Sequence, residues 1–91
     1  MGSENINELP IPSDVLEQEW ALELVRVWAA GGKQHITVAK GVWDDPANWG
    51  ILLVDLAKHI AKAHSEVTYD EALARIREGF DAEWLSSTDD A

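Results

Sequence analysis

Two histidines and an aspartate are the residues best suited to acid–base or metal chemistry. Asp55 and His59 lie four residues apart, so a helix would place them on one side, as an acid–base pair or as two metal ligands. A metal site needs a third ligand, and His35 is the candidate from elsewhere in the chain. The plainer interpretation, which we favour, is a solvated helix face with a favourable contact between residues four apart.

Two further groups allow both a chemical and a structural interpretation. Asp44 and Asp45 lie between Trp43 and Trp49, and acids beside aromatic rings could hold a cation. Capping of a helix by Asp45 explains the same residues and is preferred. His64 is expected to pack within an apolar stripe at the end of that helix, rather than to act as a pH-sensitive hinge.

Composition excludes several classes of function. The 91 residues include 17 acidic and 7 basic residues, for a formal net charge of -10. Such a chain repels phosphates, so neither nucleic acid nor a membrane surface is an expected partner. The lack of cysteine excludes disulfides and thiolate chemistry. The longest apolar run, Ile51 to Val54, is too short to span a bilayer, and no secretory leader is evident, so a soluble cytoplasmic protein without a cofactor is predicted.

Residues 13–40 allow two secondary structures. Leu16, Trp20, Leu24 and Trp28 recur every four residues, which permits one helix over residues 13–30. The alternative is a β-hairpin closed by Gly31-Gly32, a pair that suits the positive φ angles of a type I′ turn. We favour the hairpin because β-branched residues are frequent on both sides of the glycines.

The hairpin implies a definite register, with Trp28 opposite His35 and Val27 opposite Ile36. A cross-strand charge pair between Glu23 and Lys40 is expected at its open end. One face is predicted to be the core face and consists of Val25, Val27, Ile36 and Val38. The outer face is the predicted partner-binding site and consists of Leu22, Leu24, Arg26, Trp28, His35 and Thr37.

Two helices are predicted after the hairpin. The first is capped by Asp45, has Pro46 at its first position and runs to about His64. The second starts at Thr68, where Glu71 completes a capping box. Their apolar stripes are Trp49, Leu53, Leu56, Ile60 and Ala63, and then Tyr69, Leu73, Ile76, Phe80 and Trp84. Ion pairs are expected between Glu71 and Arg75 and between Arg77 and Asp81, and Gly79 is expected to mark close packing.

The predicted fold class is therefore α+β, a β-hairpin packed on an antiparallel helical hairpin in the order ββαα. A short helical turn at about residues 15–19 is expected before it. We predict a flexible N-terminal lead over residues 1–12, a single domain over residues 13–85, and a frayed acidic tail over residues 86–91.

The sequence resembles a small family of domains of unknown function found mainly in alphaproteobacteria. The resemblance lies in the run from Leu24 to Trp28, the Gly31-Gly32 turn, the run from His35 to Val38, and the segment from Trp43 to Ala61. It extends over roughly residues 9–85 and implies a bacterial cytosolic domain. It implies no activity, so no functional residue is transferred from it.

Two hypotheses for function follow from the residues. The first is a non-enzymatic interaction module that uses the outer hairpin face and binds a protein partner or a second copy of itself as a homodimer. A segment of the same chain at about residues 9–19 could instead cover that face. The second hypothesis is a small-ligand-binding or metal-dependent enzyme, which requires His35, Asp55 and His59 to converge.

Overall fold

A computed structural model gives the structure of the protein and describes residues 6–86. The elements, in chain order, are α1 (Ser13–Leu16), β1 (Val25–Ala30), β2 (Lys33–Val38), α2 (Ala47–Ala63) and α3 (Tyr69–Ser86). This order confirms the predicted ββαα arrangement and the α+β class. The strand at residues 25–30 also shows that the single helix over residues 13–30 does not form.

The chain divides into two compact units, residues 1–42 and residues 43–91. The first contains the β-hairpin and the second contains α2 and α3. Parts of the predicted lead and tail, residues 1–5 and 87–91, lie outside the described residues, and the predicted domain boundaries stay predictions.

The β-hairpin forms in the predicted register. Gly31 and Gly32 have φ angles of 60° and 74°, the left-handed conformation that a two-residue type I′ turn requires. Val27 lies opposite Ile36, and Trp28 lies opposite His35. Antiparallel pairing continues without interruption from the turn to the pair of Val25 and Val38.

The face predicted to be the core is exposed in the structure. Val27 is 55% exposed and Ile36 is 60% exposed, and Val38 is also exposed. Periodicity assigned these β-branched side chains to one face correctly, but it could not show whether anything covers that face. The prediction of burial was therefore wrong for these three residues, whereas Val25 is half-buried.

Helix α2 begins as its sequence predicts. The Asp45 carboxylate accepts a hydrogen bond from the backbone N–H of Ala47 at 2.9 Å, and Pro46 already has helical φ and ψ angles. At the other end, the backbone N–H of His64 donates to the carbonyl of Ile60 at 3.1 Å. The His64 side chain is exposed, so the expectation that it packs in the apolar stripe was wrong.

Helix α3 begins with the predicted capping box. The backbone N–H of Thr68 donates to the Glu71 carboxylate at 3.1 Å, and the backbone N–H of Glu71 donates to the Thr68 hydroxyl at 3.2 Å. The expected pair of Arg77 and Asp81 is present at 3.0 Å. Arg75 pairs with Glu78 rather than with Glu71, because the Glu71 carboxylate is already used in the cap.

Helices α2 and α3 pack against each other through small side chains. Ala61 is 1% exposed and Ala72 is 5% exposed, and they are the buried apolar residues of this unit among those described. The larger side chains of the predicted stripes are only partly covered, and Trp84, which was expected in the core, is 68% exposed. Helix α3 continues through Gly79, and a Cβ at that position would meet no atom within 4 Å, so this glycine does not mark close packing.

Candidate interaction surface

Four of the six residues predicted for partner binding lie in the strands of the hairpin. Arg26 is paired with Thr37, and Trp28 is paired with His35, so the four side chains share one face. Leu22 and Leu24 precede β1. The structure thus groups the strand residues as the sequence predicts, although it does not test whether they bind a partner.

Carboxylates on both sides of Arg26 hold its guanidinium. Nη2 lies 2.8 Å from Oε1 of Glu23, and Nε donates to Oε2 of the same carboxylate at 3.2 Å. Glu8 adds a longer contact of 3.6 Å. The hydrogen bonds and charge of Glu23 raise the pKa of Arg26 above its ordinary value. Glu23 is therefore engaged with Arg26, and the predicted charge pair between Glu23 and Lys40 was wrong.

An N-terminal segment, residues 7–12, lies beside β1. A groove of about 560 Å³ is lined by this segment on one side and by residues 21–23 and 25–28 on the other. The β1 residues in its lining come from both faces of the strand, and no residue of β2 contributes. The segment therefore lies beside β1, and the residues of β2 are exposed.

Coverage of the predicted site is partial. Trp28 and Leu24 are half-buried, whereas Arg26, His35 and Thr37 are exposed. Leu22 is 47% exposed although it lines the groove. An N-terminal segment thus covers part of this face, as one sequence-based interpretation expected, and binding of a partner to the rest stays a prediction.

The ring of His35 is oriented by the backbone of the facing strand. Its Nε2 lies 3.1 Å from the carbonyl oxygen of Ala30, so this nitrogen donates the hydrogen bond. Ala30 is the last residue of β1, next to the glycine turn. This hydrogen bond therefore connects the His35 side chain to the closed end of the hairpin.

His59, a residue of the enzymatic hypothesis, forms a hydrogen bond with the backbone of its own helix. Nδ1 of His59 donates to the backbone carbonyl of Asp55 at 2.8 Å, so the histidine binds the helix backbone rather than the carboxylate. Within residues 6–86, no group of three or more His, Asp or Glu side chains is arranged to hold a metal ion. Of the two acids between Trp43 and Trp49, Asp45 acts structurally because it caps α2, and the two rings pack edge to face at 4.8 Å.

Local charge is a feature that the sequence analysis missed. The segment 24–43 contains Arg26, Lys33 and Lys40 but no aspartate or glutamate, so all 17 acidic residues lie outside it. The two halves of the chain have equal net charge, and a count over halves therefore conceals the contrast. A count over individual elements would have identified the hairpin as the basic element of an acidic chain.

The comparisons with known proteins place this α+β chain in a family. Residues 8–88 match the family described as Domain of unknown function (DUF5076), and the chain belongs to that family. A solved structure from the photosynthetic bacterium Rhodopseudomonas palustrus CGA009, provisionally named a pyruvate dehydrogenase, is 41% identical with a TM-score of 0.70. The match covers 88% of this chain and 84% of that chain.

Two further comparisons concern curated relatives and the membrane. No curated protein matches this chain. Within the described residues, neither long helix combines the length and the apolar character that crossing a bilayer demands. The match to the family confirms the membership predicted from the sequence, and this membership implies no activity.

Proposed function

We propose that this protein is a small interaction module that associates with a second copy of itself through the outer face of its β-hairpin. The observation that supports it most is that Trp28 and Arg26 lie side by side on a two-stranded sheet that the chain covers only in part. A two-stranded sheet gains little stability by itself, and a partner would supply the missing contacts.

The chemistry of the face suits an interface. Tryptophan and arginine contribute most often to binding energy at the centres of interfaces. Glu23 and Glu8 hold Arg26 in place before any partner arrives, which reduces the conformational entropy lost on binding. His35 and Thr37 add polar groups opposite Trp28 and Arg26, as expected for an interface with some polar contacts.

Other partners and other activities have less support. A different protein could occupy the same face, and the sedimentation experiment below separates that case from self-association. The name of the Rhodopseudomonas relative raises an enzymatic role, but no three His, Asp or Glu side chains in residues 6–86 are arranged to hold a metal ion. The cytoplasmic location, the bacterial origin and the absence of nucleic-acid and membrane partners stay predictions.

Replacing Trp28 tests the proposal directly. We expect Trp28→Ala to raise the dimer dissociation constant by about tenfold or more, since truncating a central interface tryptophan costs about 2 kcal/mol. Sedimentation velocity over a range of protein concentrations measures this change. Urea unfolding of both proteins checks that the loss of association exceeds any loss of folding stability.

Trp20→Ala is the matched control. Trp20 is 76% exposed and precedes the hairpin, so its removal should leave association unchanged if the outer face is the interface. A native chain that sediments as a monomer well above micromolar concentration would refute self-association. Equal behaviour of the two variants would refute the assignment of the interface to Trp28.

A further inference from the structure

The two edges of the hairpin differ in whether the N-terminal segment lies beside them. This segment, residues 7–12, lies beside β1 across the groove. All six residues of β2 are exposed, and no residue of β2 lines that groove. Natural sheets protect open edges with prolines, bulges or inward-pointing charges, because an open edge can pair with another strand. Between Lys33 at its start and Val38 at its end, β2 has none of these.

The hydrogen-bond phase of the hairpin identifies which backbone groups are available. The N–H of Ala39 donates to the carbonyl of Leu24 at 2.9 Å, just beyond the open ends of the strands. Leu24 and Ala39 are therefore a hydrogen-bonded pair. Hydrogen-bonded and non-hydrogen-bonded pairs alternate in an antiparallel ladder, so the pairs of Val25 with Val38 and of Val27 with Ile36 are non-hydrogen-bonded. The backbone N–H and C=O groups of Gln34, Ile36 and Val38 therefore point away from β1, toward the open edge.

We propose that β2 pairs antiparallel with β2 of a second copy, with Ile36 opposite Ile36 across a twofold axis. This inference rests on the proposed self-association, but it places the contact at the β2 edge and not at Trp28, which lies on β1. In this register Gln34 of each copy lies opposite Val38 of the other, and all three outward-facing residues exchange hydrogen bonds with their counterparts. The result is one four-stranded antiparallel sheet.

The side chains agree with this register. Paired residues of adjacent strands share a face, so the apolar face of one hairpin continues into that of the other, with the two Ile36 side chains in contact. On the other face, His35 lies opposite Thr37 of the second copy, beside the predicted partner-binding residues. Lys33 would lie opposite Ala39 and Lys40 opposite Gly32, so no like charges are directly opposed.

A seam between two copies of β2 contains no acidic residue. The hairpin segment 24–43 contains no acidic residue, whereas the rest of the chain contains all 17. Contact between two hairpins therefore keeps the acidic segments of both copies out of the interface. A sheet of four strands also exceeds the three that a stable sheet with one apolar face requires.

Amide hydrogen exchange tests the edge without any substitution. At high protein concentration, we expect the amides of Gln34, Ile36 and Val38 to exchange about tenfold or more slowly than at low concentration, because pairing protects them. The outward-facing amides of Val25 and Val27 on β1 should show no dependence on concentration. Protection of the β1 amides in place of the β2 amides would overturn the proposal.

A pair of proline substitutions tests the same edge independently. Ile36→Pro removes an N–H that points outward, so it removes no hydrogen bond within the hairpin but blocks pairing with a second β2. Val27→Pro makes the same change at the directly opposite position of β1. We expect Ile36→Pro to be monomeric by sedimentation, and Val27→Pro to dimerise with a dissociation constant within about threefold of the native value.

The outcomes separate this inference from the proposed function. Dimers that form without protection at Gln34, Ile36 and Val38 would refute edge pairing but leave self-association intact. If Ile36→Pro abolishes dimers and Trp28→Ala does not, the edge is confirmed and the outer face is refuted. If neither proline variant dimerises, hydrogen exchange of the native chain decides whether the β2 edges pair. Absence of concentration-dependent protection of the β2 amides would then refute edge pairing.

Discussion

The carboxylate of Glu71 shows how one residue can fix the start of a helix. It accepts hydrogen bonds from both the backbone N–H and the hydroxyl of Thr68, each at 3.1 Å. These bonds stabilise the ionised carboxylate and lower the pKa of Glu71 below its ordinary value. The capping box is therefore also a site where pH acts on the stability of α3.

The direction of that pH dependence follows from the lowered pKa of Glu71. The contribution to stability is fully present above the ordinary pKa of a glutamate and is lost as pH falls through the lower pKa of the folded state. We expect NMR titration of the Glu71 side-chain carboxyl to give a pKa below the ordinary value. In Thr68→Ala that pKa should rise toward the ordinary value, and an unchanged pKa would contradict the capping mechanism.

At the scale of the elements, α3 contains a glycine with no structural need for one. Gly79 lies within the helix, and a Cβ there would meet no atom within 4 Å. Glycine loses more backbone entropy on folding than alanine does, and its presence inside a helix costs about 1 kcal/mol. The residue thus lowers the stability of α3 without a compensating contact among the described residues.

Gly79→Ala should therefore raise the free energy of unfolding by about 1 kcal/mol. Urea unfolding followed by circular dichroism measures the change. Gly31→Ala is the contrasting variant, because Gly31 has a φ of 60° in the turn and alanine is strained there. A Gly79→Ala variant that is less stable than the native chain would show that α3 contacts something at that position.

Local interactions account for what the sequence predicted well. The glycine pair sets the turn, the turn sets the register, and the Asp45 and Thr68 caps set the two helix starts. Burial was predicted poorly because it depends on contacts between segments far apart in the chain. Ile36 and Trp84 therefore lie on the predicted faces but are exposed. The paired residues of the candidate face were likewise predictable, and the N-terminal segment beside β1 was one of two alternatives that the sequence left open.

At the scale of the whole molecule, the net charge of -10 opposes association of two copies. The hairpin carries only basic charges, so the repulsion arises from acidic segments outside the proposed interface. At a salt concentration of 0.1 M, repulsion between exposed charges more than about 10 Å apart is largely screened. The net charge is therefore expected to weaken the proposed dimer at low salt.

We expect self-association to strengthen as salt rises from about 0.02 M to about 0.3 M, since screening lowers the repulsion between the two copies. Sedimentation equilibrium at several salt concentrations measures the trend. Weaker association at higher salt would show instead that oppositely charged surfaces meet, as when a basic hairpin contacts an acidic segment of the other copy.

The order of the elements has a consequence for how the protein folds. Strand β1 pairs with β2 and helix α2 packs against α3, so the elements that contact each other are neighbours in the chain. Short connections make such contacts quick to form, and chains rich in local contacts fold in microseconds to milliseconds. The helical pair can thus form before a second chain is met, whereas the hairpin gains little stability by itself. For the proposed dimer, encounter between chains, which slows on dilution, is then expected to be the slow step of assembly.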